Sequence, residues 1–150
     1  MTDAERIVWG ALAGVSIYIV GQLLSKFLIE PLHELRKTVG EVRFNLAFYA
    51  PTIHTPIGRS KEASADAQQA LRENSCNLIS KLHAVPIYSV VRHLSFGVLP
   101  ERKAIEKAAA HLRALSTYVL QEGEKANNNS ETVEKLVLRV ELLLNLKPLE

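Results

Sequence analysis

Residues Ile7 to Ser25 read IVWGALAGVSIYIVGQLLS, 19 positions with no charged side chain. At 1.5 Å per residue a helix over this run is about 28 Å long, close to the hydrocarbon thickness of a bilayer. Trp9 near one end and Lys26 just past the other suit the two interfaces. A buried core helix seldom runs this far without a charge. A cleavable signal peptide needs a basic leader, and here Asp3 and Glu5 outnumber Arg6. The run therefore predicts a single-pass anchor, placed at residues 1–30, with the rest of the chain, 31–150, as a separate folded unit. Only Arg6 precedes the span, whereas Lys26, Arg36, Lys37 and Arg43 follow it closely. Cationic flanks stay in the cytoplasm, so the C-terminal unit is expected there, beneath a bacterial inner membrane.

The two sides of the anchor differ. At 100° per residue Gly10, Gly14, Gly21, Ser25, Tyr18, Ala11 and Gln22 share one half, and Val8, Leu12, Val15, Ile19 and Leu23 the other. Gly10 and Gly14 form a GxxxG, and Gly21 and Ser25 repeat the small-xxx-small spacing. Small residues let helix backbones approach within van der Waals contact in lipid. Gly10, Gly14, Tyr18, Gly21, Gln22 and Ser25 thus form the candidate oligomerisation or pore face, with Gln22 able to bond a neighbour or line a wet path.

Beyond the anchor, prolines 31, 51, 56, 86, 100 and 148 fall between periodic segments and mark candidate helix boundaries. Leu32, Leu35, Val39, Val42, Leu46 and Tyr49 recur at alternating spacings of three and four, a seam expected to carry contact between copies below the anchor. A second helix is predicted over 61–84, with Asn74 inside its apolar stripe as a buried contact or register device. Ile87, Val90, Val91 and Leu94 suggest a short helix after Pro86. Pro100 opens another long helix with Glu101 in its first turn, and Ser130 can cap a last one carrying Val133, Leu136, Val137, Val140 and Leu144. No stretch alternates with period two. The expectation is an all-α protein: a transmembrane helix followed by a cytoplasmic bundle of four or five helices.

The whole chain has 150 residues, 47% hydrophobic, with 18 Lys/Arg against 16 Asp/Glu. So even a balance argues against nucleic acid as the main partner. One cysteine, Cys76, excludes an internal disulfide and a thiolate metal cage; its mid-helix position reads as a small buried or half-buried residue. His33, His54, His83, His93 and His111 have no histidine at i+3 or i+4, which argues against a metal, and no phosphate- or dinucleotide-binding glycine loop occurs. No cofactor is expected, and no enzyme. HEPN ribonucleases, also small helical bundles, use an Arg followed four to six residues later by a His, and no arginine here has that spacing. Arg92–His93 with His54 and Arg59 across a dimer ranks below plain surface solvation.

Cations gather at Arg59, at Arg92 with His93, and at Arg102 with Lys103, beside the helix start after Pro100 where free N–H groups favour anions. These five are the candidate anion-binding residues. The plainer reading is a solvated face. Setting aside Arg6, Asp3 and Glu5, the remaining chain carries 17 cations against 14 acids, a small excess that favours it.

The segments PLHELRKTVGEVRFNLAFYA (31–50), EASADAQQALRENSCNLISKLHAVPIYSVV (62–91) and VLPERKAIEKAAAHLRALS (98–116) resemble a family of small bacterial membrane-anchored helical proteins. The shared features are the ELR…GE…YA pattern, the AVPIY segment and the VLP helix start. That resemblance implies architecture rather than activity. In size, single span and helical C-terminal unit the chain is also similar to the pore-forming membrane accessory protein of Cas13b-type CRISPR systems, an analogy of layout. The function expected is a non-enzymatic membrane oligomer, a pore-forming or depolarising effector in antiviral defence. It would bind the bilayer, copies of itself and, through the bundle, a protein partner. The alternative is a membrane-tethered helical sensor or degenerate HEPN-like domain binding nucleotide or RNA.

Overall fold

Thr2 starts the first helix. Its hydroxyl accepts from the Glu5 N–H while the Glu5 carboxylate accepts from the Thr2 N–H at 2.8 Å, a reciprocal cap that satisfies two otherwise orphaned donors. From there the chain, seen in a computed structural model that describes residues 2–55, 60–94, 99–121 and 128–146, runs as one rod of 46 residues, Asp3–Phe48. The rod comprises α1 (Asp3–Leu24), a π-helical turn (Ser25–Ile29) and α2 (Glu30–Phe48). The Pro31 ring would clash with the carbonyl four residues back in a regular α-helix. The π turn before it relieves that clash, with the Glu30 N–H reaching the Ser25 carbonyl. Pro31 is therefore a register change inside a continuous helix, not a boundary.

The burial pattern changes along this rod. No residue of α1 is buried, and α1 is the one helix among the described residues long and apolar enough to cross a membrane. Leu28 and Leu32 begin to touch the core, and Leu35, Thr38, Val42 and Leu46 are buried in it. The seam expected to join copies instead packs into its own chain. Its flanking members Leu32, Val39 and Tyr49 are half-buried against the same core.

The short α3 (Ala50–His54) turns the chain and inserts Ile53. Helix α4 (Lys61–Ala84) is opened by the Ser60 hydroxyl, which accepts from the Ala63 N–H at 3.0 Å. It returns antiparallel to α2, since Asn45 meets Asn74 and Glu34 meets Lys81. After α5 (Tyr88–Leu94), α6 (Arg102–Tyr118) packs along α4, and α7 (Ser130–Leu143) packs along α6. At the α4–α6 crossing small residues allow close approach: the buried Ser75 hydroxyl donates to the Ala109 carbonyl at 2.8 Å. Leu71, Leu78, Leu82, Ile105, Leu112, Leu115 and Val140 fill the shared interior.

The chain is all-helical, with no strand among the described residues. Three local expectations are corrected. Ser130 is the first residue of α7 rather than its cap, and Asn129 precedes it without a side-chain capping bond. Helix α6 begins one residue beyond Glu101, which sits outside its first turn. Cys76 is exposed, because Asn74, Ser75 and Leu78 take the inward face of α4 and leave the thiol outside. Helix α7 ends where Asn145 adopts φ 54, so that the Asn145 and Leu146 N–H groups bond back to the Leu142 and Glu141 carbonyls. That Schellman ending returns Leu146 to the core.

Candidate functional site

Two regions collect the residues singled out by sequence, and they lie at one end of the molecule. The first is α1. A Cβ built on Gly10, Gly14 or Gly21 meets nothing within 4 Å, so among the described residues these glycines serve no packing purpose. Tyr18 is 66% exposed and Gln22 and Ser25 are exposed as well. Ile17, seven residues from Gly10 and four from Gly21, lies on the same line and is 73% exposed. The face is thus a row of notches with one branched knob, which the glycine pattern alone did not reveal.

The second region is the corner between α4 and α6. Glu34 is ion-paired with Lys81 at 3.2 Å, and an apolar cavity of about 200 Å³ joins Leu35 and Val39 of α2 to Leu99, Ile105 and Leu144. The C-terminal end of α4, the start of α6 and the end of α7 therefore all sit at the end of the bundle from which α1 emerges. Residues 85–94 and 99–101 lie at the corner there. Val85, Tyr88 and Val91 are buried and hold it down. The Tyr88 hydroxyl donates to the Pro100 carbonyl at 2.8 Å, and burial pushes its phenol above the usual range against the opposing pull of Arg92.

This corner gathers Arg92, Arg102 and Lys103 along one open groove of about 390 Å³, together with Ile87, Ser89 and Glu101. Arg92 donates through Nε to the Leu99 carbonyl at 3.4 Å and pairs with Glu101 at 3.3 Å. Arg102 donates to His83 Nδ1 at 3.0 Å and pairs with Glu106 one turn on. Three of the five expected cationic residues converge. His93 does not line the groove: its Nδ1 bonds the Ser89 carbonyl within its own helix at 2.9 Å. Arg59 lies outside the described residues. His54 closes α3 at the far end of the bundle, roughly a 19-residue helix away from Arg92 and His93 within the chain.

Of the apolar residues Ile87, Val90 and Val91 in this segment, only Val91 is buried. Ile87 and Val90 are 68% and 52% exposed. Ile87 precedes the helix with φ 51, and its carbonyl accepts from the Val90 and Val91 N–H groups. No sequence signal marks this, because left-handed backbone is expected at Gly or Asn and costs most at a β-branched residue. Among the described residues no group of three His, Cys, Asp or Glu is placed to hold a metal ion. No family model matches the chain, and no curated protein or solved structure shows significant similarity to it.

Proposed function

We propose that this chain is a single-pass protein of the bacterial inner membrane that assembles with copies of itself through the small face of α1 and has no catalytic chemistry of its own. The observation that carries this reading is a 22-residue apolar helix with none of its residues buried, joined without a break to a packed bundle. A core helix would be covered by its own chain. A signal sequence would be released at an extended small-residue site, whereas here α1 passes through a π turn into α2 and residues 28 onward belong to the core. The basic residues after the span support a bundle on the cytoplasmic side. Three glycines with no intramolecular neighbour support a contact between anchors. A ring of such anchors, lined by Gly14, Tyr18 and Gln22, forms the pore or depolarising path implied by the resemblance to membrane effectors. The bundle gates it or docks a partner protein.

The test is reconstitution of the purified chain in vesicles, with native mass and ion leak both measured. The Cβ that Gly14→Leu adds has no described atom within 4 Å, and the change raises helix propensity by about 1 kcal/mol. It should leave folding and insertion intact while lowering the mass and abolishing the leak. Unchanged mass and leak in Gly14→Leu would exclude this face. A leak that never appears above that of empty vesicles would exclude the pore.

A further inference from the structure

We propose that the α4–α6 corner is a second membrane contact, in which Ile87 and Val90 enter the interface and Arg92, Arg102 and Lys103 meet the phosphates of anionic phospholipid. This rests on the reading of α1 as a span. Its starting point is a length. From Ser25, the last residue of the uncharged run, to Glu34 is nine residues of continuous helix, about 13 Å. Lys81 of α4 stands level with Glu34, and α4 then runs three residues further back toward α1 before the corner begins. The corner lies about 10 Å from the hydrocarbon boundary, and the headgroup layer fills about 5–7 Å of that. A tilt of about 20°, ordinary for a single span, brings one side of the bundle end down onto the surface.

What the corner presents there fits a lipid surface. Around this end Lys26, Arg36, Lys37, Arg92, Arg102 and Lys103 outnumber the carboxylates of Glu30, Glu34, Glu101 and Glu106. Each cation brought near an anionic leaflet strengthens attachment roughly five-fold. Ile87 lines the groove beside Arg92, Arg102 and Lys103, and Val90 is exposed three residues on, at a corner otherwise anchored by buried Val85, Tyr88 and Val91. Ile87 is the independent mark. A left-handed backbone there would be free for Gly and tolerable for Asn, yet the position holds a β-branched side chain that touches solvent. Two-thirds of that side chain stays open to water, so its burial in the chain does little to offset the strain. An apolar interface would offset it, in the way amphipathic segments lay their apolar face into the headgroup boundary beside basic residues.

The full chain carrying Cys76→Ser receives an environment-sensitive fluorophore at Ile87→Cys, at Ile19→Cys within the span, or at Asp66→Cys at the far end of the bundle. Each is reconstituted in phosphatidylcholine vesicles with and without phosphatidylglycerol. The probe at 87 should shift to the blue and be quenched by nitroxide lipid only when phosphatidylglycerol is present. Arg102→Glu with Lys103→Glu should abolish that shift, and the probe at 66 should stay aqueous throughout. A probe at 19 in lipid with the probe at 87 aqueous in both vesicles would overturn this contact and leave the anchor standing. An aqueous probe at 19 would overturn both. An equal shift without phosphatidylglycerol would overturn the phosphate part of the contact.

Discussion

Asn74 is 3% exposed, in the middle of α4 between Leu71 and Leu78, and its amide Nδ2 has no partner among the described residues. Its Oδ1 accepts one bond, from Asn45 of α2 at 3.2 Å. An unsatisfied buried amide costs about 1–3 kcal/mol, and a single neutral hydrogen bond contributes about 0.5–1.5 kcal/mol. Asn74→Leu keeps the branching at Cγ, removes the first term and forfeits the second, while half-buried Asn45 regains water. The expected net is a stabilisation of about 0.5–1.5 kcal/mol. For a chain of this size that raises the melting temperature by roughly 1–6 °C. Asn45→Ala should do the reverse, because it strips the remaining partner from a buried group. In the Asn74→Leu background the same Asn45→Ala change should be close to neutral. Thermal unfolding of the full chain in detergent, followed by circular dichroism, reads all four corners of the cycle. A fall in melting temperature for Asn74→Leu together with no effect of Asn45→Ala would refute the reasoning. Confirmation would assign the pair a role in fixing how α2 and α4 align, at a cost in stability.

Two further outcomes follow from the core. Leu112→Ala, at a fully buried position, should destabilise the bundle by about 2–5 kcal/mol, whereas Leu142→Ala, 72% exposed, should stay within about 0.5 kcal/mol in the same melts. Burial, then Arg139 and Lys107, hold the His111 imidazole below its ordinary range. Above about pH 6.5 both folded and unfolded forms are neutral and this contribution is intact. As pH falls the unfolded chain takes up the proton first, so stability declines until the folded ring is protonated too. Melting temperature should therefore drop on acidification below pH of about 6.5, less steeply in His111→Gln; identical profiles for the two proteins would contradict the assignment.

The sequence made the helices legible because each long one carries a periodic stripe that the core then uses: 61–84 appears as Lys61–Ala84, and Ile105, Leu112, Leu115, Val133, Val137 and Val140 are buried as their spacing implies. It could not say which partner each stripe meets. The Leu32–Tyr49 seam has the spacing of a contact between copies, and only the three-dimensional arrangement shows α4 already covering it. Pro31 was readable as an interruption but not as a π turn, since the clash admits either a break or a register change. Arg92, Arg102 and Lys103 were visible as cations. Their convergence depends on the buried Tyr88 and its bond to Pro100, and the exposed Ile87 depends on a backbone angle that its side chain disfavours. Local preference points the other way at that residue, so no pattern in the chain could have announced it.

The most direct test of the account is the side of the membrane on which the bundle lies. Cys76 is the chain's one cysteine and is exposed on α4, and Thr2 is exposed before α1. A membrane-impermeant maleimide is applied to intact bacterial spheroplasts and to lysed ones, with the native chain and with Thr2→Cys in a Cys76→Ser background. Both proteins should stay with alkaline-washed membranes, Cys76 should be labelled only after lysis, and the cysteine at position 2 should be labelled in intact spheroplasts. Extraction of the chain into the soluble fraction, or labelling of Cys76 in intact spheroplasts, would contradict this placement.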